Sequence, residues 1–359
     1  MKKVLGFVFH SWQGWLLFLT PVAIGMEFAH VSGIWLFVAS AAAIIPLAGI
    51  LGEATEELAH HMGPAAGGLL NATFGNAGEL IIAFFALRAG HPEVVEASIT
   101  GSIIGNVLLV FGLSAFIGGL GRERQTFNRT IAGSNNTMLL LAVAALIMPA
   151  VFSTVVFGSL QTAQPTVELL SRCTAVVLIG IYAAGLVFSL VTHKNLFGAM
   201  EERPPKLGKG TAIGILLVAT VFVAWLSEIF VGAIEPATHS LGMSQLFVGV
   251  MVVAIIGNAA EHSAAVMLAR RNQMDLALGV SIGSSVQIAL LVAPILVLSA
   301  PLLGQHMSLV FNPFEIAAVV LSVLVSAMVV MDGETNWFEG LQLLGLYLIL
   351  GLAFYFIPA

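Results

Sequence analysis

The sequence predicts an all-α polytopic membrane protein with about eleven transmembrane helices, arranged as two inverted five-helix repeats plus one extra N-terminal helix. Three observations carry that expectation. First, the 359 residues are 58% hydrophobic and only 9% charged, with a mean hydropathy of +1.01, whereas an ordinary soluble domain carries roughly 25% charged residues. Second, the apolar runs are long enough to span, about 20 residues each, and lack strand-like alternation. Backbone groups in lipid must be satisfied internally, so such runs favour helices over a barrel. Third, one motif occurs twice.

The chain opens Met1, Lys2, Lys3 and passes into apolar residues with no small-residue cleavage site, so the first span is expected to be retained. The candidate spans are 12–29, 34–60, 64–88, 94–120, 135–153, 172–193, 211–232, 246–269, 275–299, 314–331 and 337–357. With the N-terminus in the cytoplasm, eleven of the thirteen basic residues fall inside: Lys2, Lys3, Arg122, Arg124, Arg129, Lys194, Arg203, Lys206, Lys209, Arg270 and Arg271. Arg88 and Arg172 fall outside. That sorting supports the span count and an external C-terminus. The formal net charge of −6 is spread over short loops and defines no patch. Cys173 stands alone in an apolar run, with no disulfide partner and no metal-ligand spacing, and is expected to pack.

The loop from Lys194 to Lys209, with Glu201, Glu202, Arg203, Pro204 and Pro205, divides the chain near its middle. The expected organisation is an extra helix over 1–31, a first repeat over 32–193, a cytoplasmic linker over 194–209 and a second repeat over 210–359.

Gly75, Asn76, Ala77, Gly78, Glu79 returns as Gly257, Asn258, Ala259, Ala260, Glu261, an offset of 182 residues. The offset pairs Gly67 with Gly249, Arg88 with Arg270, Gly101 with Gly283, Ser102 with Ser284, and Leu108 and Leu109 with Leu290 and Leu291, without a gap. Equivalent spans are five apart, and an odd number inverts the topology. Inverted repeats place a substrate site near the midplane and alternate access around it.

Asn76 and Glu79 share a helix face, as do Asn258 and Glu261. In the following spans Ser102 lies four residues before Asn106, and Ser284 three before Gln287. These are all oxygen ligands, with no cysteine and no histidine pair at zinc spacing, a set that suits a hard cation such as Ca2+. Adjacent glycines permit close helix approach or local unwinding that frees carbonyls. Two carboxylates match one divalent ion. When that ion leaves, two buried glutamates cannot both stay charged cheaply and are expected to take up protons. Polar residues and glycines can also simply hold membrane helices together. For the duplicated glutamates that explanation is poor, because each acid costs about 2.5 to 3.5 kcal/mol at a bilayer centre.

The Gly-Asn-Ala-x-Glu motif in both repeats, with GSIIGN at Gly101–Asn106 and GSSVQI at Gly283–Ile288, resembles the cation/proton exchangers of the calcium/cation antiporter superfamily. The resemblance covers both halves. It implies ten core helices plus one N-terminal helix, Ca2+ export driven by the proton gradient, and Glu79 and Glu261 as shared Ca2+ and proton carriers. It also implies that Asn76, Asn258, Ser102, Ser284 and Gln287 line the same site. Sodium/calcium exchangers of the superfamily resemble Gly-Ser/Thr-Ser-x-Pro-Glu instead, and neither copy here has that proline or hydroxyl pair, which favours proton coupling. Gly78 departs from the threonine-like residue of many relatives without removing a ligand.

Glu53, Glu56 and Glu57, followed by His60 and His61, stand at the cytoplasmic end of span two. They read either as an entrance that collects Ca2+, with Glu228 of span seven as a partner for Glu53, or as a solvated helix end. His262 points about 100° away from Glu261 and reads as a packing histidine or a tuner of the site. No cofactor is expected. The expected partners are Ca2+, protons and the lipid bilayer, no nucleic acid, with association of several copies left open. The alternative within this fold is exchange of Mn2+, Na+ or K+ for protons. An intramembrane enzyme is disfavoured because HExxH is absent and Glu57, His60 and His61 lack its spacing. Short cytoplasmic segments suggest a prokaryotic plasma membrane, with a vacuolar membrane as the other location.

Overall fold

The computed structural model describes residues 6–8, 12–31, 33–162, 164–194 and 205–358. Lys2, Lys3, Glu201, Glu202, Arg203 and Pro204, which enter the arguments about sidedness and the linker, lie outside the described residues.

Thirteen helices build the described chain: α1 (Gly14–Phe28), α2 (Ile34–His60), α3 (Pro64–Phe74), α4 (Ala77–Arg88), α5 (Pro92–Gly119), α6 (Arg129–Phe157), α7 (Pro165–Thr192), α8 (Lys209–Gly232), α9 (Ile234–Leu241), α10 (Gln245–Arg270), α11 (Met274–Leu303), α12 (Pro313–Val329) and α13 (Trp337–Tyr355). Eight of them, α2, α5, α6, α7, α8, α10, α11 and α13, are long and apolar enough to cross a membrane. A bent pair, α3 with α4, and two shorter apolar helices, α1 and α12, occupy the remaining places where the sequence puts spans. Prolines 92, 165 and 313 begin their helices, where the missing N–H costs no hydrogen bond. Asn128, Asn312 and Asn336 cap α6, α12 and α13 by accepting backbone N–H groups, the last two as capping boxes with Glu315 and Glu339.

Two features go beyond the sequence expectation. The eight-residue α9 buries Ile234, Ala237 and Thr238 and exposes Glu235 and His239, an amphipathic turn too short to span. A two-residue ladder joins β1 (Gln125–Thr126) to β2 (Glu334–Thr335) in antiparallel register. Around the ladder, Arg124 pairs with Glu334 at 2.8 Å, Gln125 Nε2 donates to Ala269 O at 2.8 Å, and Arg122 donates to Gly118 O and Arg270 O. The ends of α5 and α10 are thereby knitted to the start of α13. Cys173, expected to pack, is instead exposed on α7.

Helices α2 and α8 pack side by side, and His61 Nε2, just past the end of α2, lies 2.8 Å from Leu207 O, just before α8 begins. The two therefore run antiparallel. Helices α5 and α10 touch through glycine: a Cβ on Gly101 would strike the Val250 backbone, and one on Gly249 would strike Ala97 Cβ and lie 2.8 Å from Val94 O. Small residues at such crossings let membrane helices approach at backbone distance.

Candidate cation-binding site

The two copies of the repeated motif adopt different backbones. In the first, Gly75 and Asn76 interrupt the helix, and the axis turns 41° between α3 and α4. Asn76 occupies the N-cap position of α4 yet makes no cap bond; its amide reaches across to α11 instead. Asn76 Nδ2 donates to Gln287 Oε1 at 2.7 Å, and Ser284 Oγ donates to Asn76 Oδ1 at 2.7 Å. In the second copy α10 runs unbroken through Asn258, and a π-helical stretch at Val248–Val253 takes up the irregularity one turn earlier. Asn258 Nδ2 donates to Glu79 Oε1, with Ser102 Oγ at 3.1 Å and Ala254 O at 2.9 Å.

Each half thus reaches into the other: Asn76 meets Ser284, and Asn258 meets Ser102, partners related by the 182-residue offset. Ser102 Oγ also donates to Glu79 Oε1 at 2.6 Å. Glu261 lies within interaction range of Glu79 and Ser284. Just beyond both serines the helix switches to π geometry, at Gly105–Val110 in α5 and Ile288–Val292 in α11. Such π-turns free or misalign backbone carbonyls and recur at functional sites.

Close approach makes the site. A Cβ on Gly257 would stand 2.8 Å from Glu79 Cγ, and Gly78 keeps its place 3.3 Å from Ala48 Cβ and 3.8 Å from Gly257 O on the same measure. The glutamate of one motif therefore passes over the glycine of the other.

Hydrogen bonds leave part of the oxygen set unused. Glu79 Oε2, Glu261 Oε2 and Asn258 Oδ1 are buried without a hydrogen-bond partner, as is the Asn106 Nδ2 donor. Buried polar atoms in a folded protein are nearly always paired, and three such oxygens in one place fit a cation that accepts their lone pairs. Among the described residues no three His, Cys, Asp or Glu side chains converge. A cation here would take two carboxylates and complete its shell from amides, hydroxyls, backbone carbonyls or water, as hard divalent ions do.

The sodium/calcium exchanger protein family model matches this chain twice, over residues 32–191 and 211–356. The chain belongs to that family. It is 45% identical over 362 residues to the Ca(2+)/H(+) antiporter of Aphanothece halophytica, covering 96% of each chain. It is 39% identical to the vacuolar calcium ion transporter of Schizosaccharomyces pombe, over 97% of this chain and 85% of that one. Among solved structures, native YfkE superposes with a TM-score of 0.83 at 38% identity, covering 95% of this chain and all of its own. The Aphanothece and Schizosaccharomyces relatives are named as transporters, not enzymes.

In this exchanger-family chain, hydrogen bonds join Glu79, Asn258 and Ser102 in one cluster and Asn76, Ser284 and Gln287 in another, with Glu261 in range of Glu79 and Ser284. Asn106 is 1% exposed, four residues past Ser102 at the start of the π-turn. The proposed entrance acids disperse. Glu57 is buried, and its Oε2 accepts the backbone N–H groups of Lys206 at 2.7 Å and Leu207 at 3.1 Å. Glu56 pairs with His60 at 3.7 Å, and Glu53 is half-buried. Glu228 does not join them: it is exposed and nineteen residues into α8, about 28 Å from the end that meets α2. The antiparallel packing of α2 and α8 separates Glu228 from Glu53.

His262 Nε2 is buried without a partner. Glu315, outside the repeated motif, is 3% exposed; its Oε1 accepts from Thr100 Oγ1 at 2.8 Å and its Oε2 accepts from Asn312. Its signal is the Asn-x-x-Glu capping box at 312–315, and its role is to tie the start of α12 to α5.

Proposed function

We propose that this chain is a secondary antiporter that exports Ca2+ from the cytoplasm in exchange for protons, with Glu79 and Glu261 as the shared carriers. The observation that carries the reading is the orphaned oxygen set, Glu79 Oε2, Glu261 Oε2 and Asn258 Oδ1, beside amides and hydroxyls that hydrogen-bond from one half to the other. With Ca2+ bound, both carboxylates are charged and matched by one divalent ion. With Ca2+ gone, protons take its place, since paired like charges in a water-poor site are unstable. Mutually exclusive occupancy by Ca2+ or protons converts a proton gradient into Ca2+ movement. The name of the Aphanothece halophytica relative carries the same pair of ions.

The proposal includes eleven spans in two inverted repeats, 32–193 and 210–359, after an extra N-terminal helix over 1–31, with the linker at 194–209 in the cytoplasm. The double family match and the antiparallel packing of α2 against α8 support it. The N-terminus is placed in the cytoplasm and the C-terminus outside, in a prokaryotic plasma membrane; cysteine-accessibility labelling at each end checks the orientation.

The test is flux of radioactive Ca2+ into vesicles under an imposed pH gradient, with Mn2+, Mg2+ and Na+ as competitors. Glu79→Gln and Glu261→Gln are each expected to abolish uptake. Uptake that survives both substitutions removes the site assignment, and uptake that requires sodium removes the proton coupling. Acidifying the Ca2+-loading side is expected to weaken Ca2+ uptake, because protonation takes away the ligand charge; a flat pH profile contradicts shared carriage.

A further inference from the structure

We infer that the cleft between α1, α2 and α8 is a binding site for one acyl chain of an anionic phospholipid. The cleft has a volume of about 760 Å³, within the roughly 300–1,000 Å³ of sites that enclose small molecules. Its walls are almost wholly apolar: Leu17 and Ile24 from α1, Leu47 from α2, and Ile215 and Val218 from α8. Along α8 the lining runs from Thr211 to Phe222, eleven residues or about 16 Å at 1.5 Å per residue. That is close to half of a hydrocarbon core about 30 Å thick, the length of one leaflet. Val218 is 58% exposed, so the cleft opens sideways, where a lipid chain would enter.

Charge selects the headgroup: exposed Lys206 and Lys209 stand at the end of α8 where the cleft begins, and juxtamembrane lysines attract anionic lipid. A chain here would lie alongside α1, which itself packs on α2.

The test is native mass spectrometry of the delipidated full chain titrated with phosphatidylglycerol and, separately, with phosphatidylcholine. The expected result is saturation at one phosphatidylglycerol per chain, with weaker phosphatidylcholine binding. Val218→Trp, which closes the lateral mouth, is expected to lower that occupancy at least tenfold. Gly214→Leu is the second cleft-filling variant, since a Cβ on Gly214 meets nothing within 4 Å and folding should tolerate it. Failure to saturate at one lipid, equal retention in Val218→Trp and Gly214→Leu, or occupation by detergent alone or by a second copy of the chain overturns the inference. None of these readouts depends on ion transport.

Discussion

Glu79 reaches Asn258 only because residue 257 has no side chain. Adding one carbon there would place it 2.8 Å from Glu79 Cγ, and overpacking of this kind typically costs about 1–3 kcal/mol. Gly257→Ala is therefore expected to displace the carboxylate, raise the KM for Ca2+ about tenfold or more in vesicle flux, and lower the melting temperature. Gly279→Ala in α11 is the matched control: its Cβ meets nothing within 4 Å, and alanine is favoured over glycine in a helix by about 0.5–1 kcal/mol. That variant should melt slightly higher and transport normally. At this scale the acids, amides and hydroxyls were legible from their residue types and offset. Which amide meets which hydroxyl was not, because Asn76 and Ser284 lie 208 residues apart and no local rule pairs them.

Helices that match in sequence differ in shape. The first motif breaks its helix at Gly75–Asn76, while the second keeps α10 continuous and shifts the distortion into a π-turn at Val248–Val253. The π-turns of α5 and α11, in contrast, fall at the same repeat position. The site is thus symmetric in its supporting helices and asymmetric in the helices that carry the acids. Element ends follow ordinary capping chemistry. Asn128 accepts from the Thr130 and Ile131 N–H groups at 3.0 and 3.2 Å, so Asn128→Ala is expected to cost about 0.5–2 kcal/mol, read as a lowered melting temperature in detergent with the KM for Ca2+ unchanged. Gly101→Val should do much more, because its branched side chain would meet the Val250 backbone; loss of folded protein on size-exclusion chromatography is the expected outcome.

Across the whole molecule, the linker is fastened rather than free where it is described. Glu57 receives two consecutive backbone N–H groups from Lys206 and Leu207, and His61 meets the Leu207 carbonyl, so the end of α2 holds the start of α8. Leaving buried backbone donors unsatisfied costs about 1–3 kcal/mol each. Glu57→Ala is expected to reduce thermal stability by that order and to slow turnover, with little change in the KM for Ca2+. A large rise in KM would instead place Glu57 on the ion path. At the same end the β1–β2 ladder and the Arg124–Glu334 pair join α5, α10 and α13, so the neighbouring α2–α8 pair faces a cross-braced block.

Legible along the chain were the membrane class, the duplicated motif and the acids, amides and hydroxyls that the two halves bring together. Hydropathy, charge position and a constant offset are properties of the chain read in one dimension. Tertiary structure alone decided that Gly257 lies under Glu79, that each asparagine serves the opposite half, that Glu57 binds backbone while Glu228 is carried far from it, and that a cleft opens beside α1. Each of these depends on where antiparallel helices cross, and crossing geometry is set by packing between residues more than a hundred positions apart.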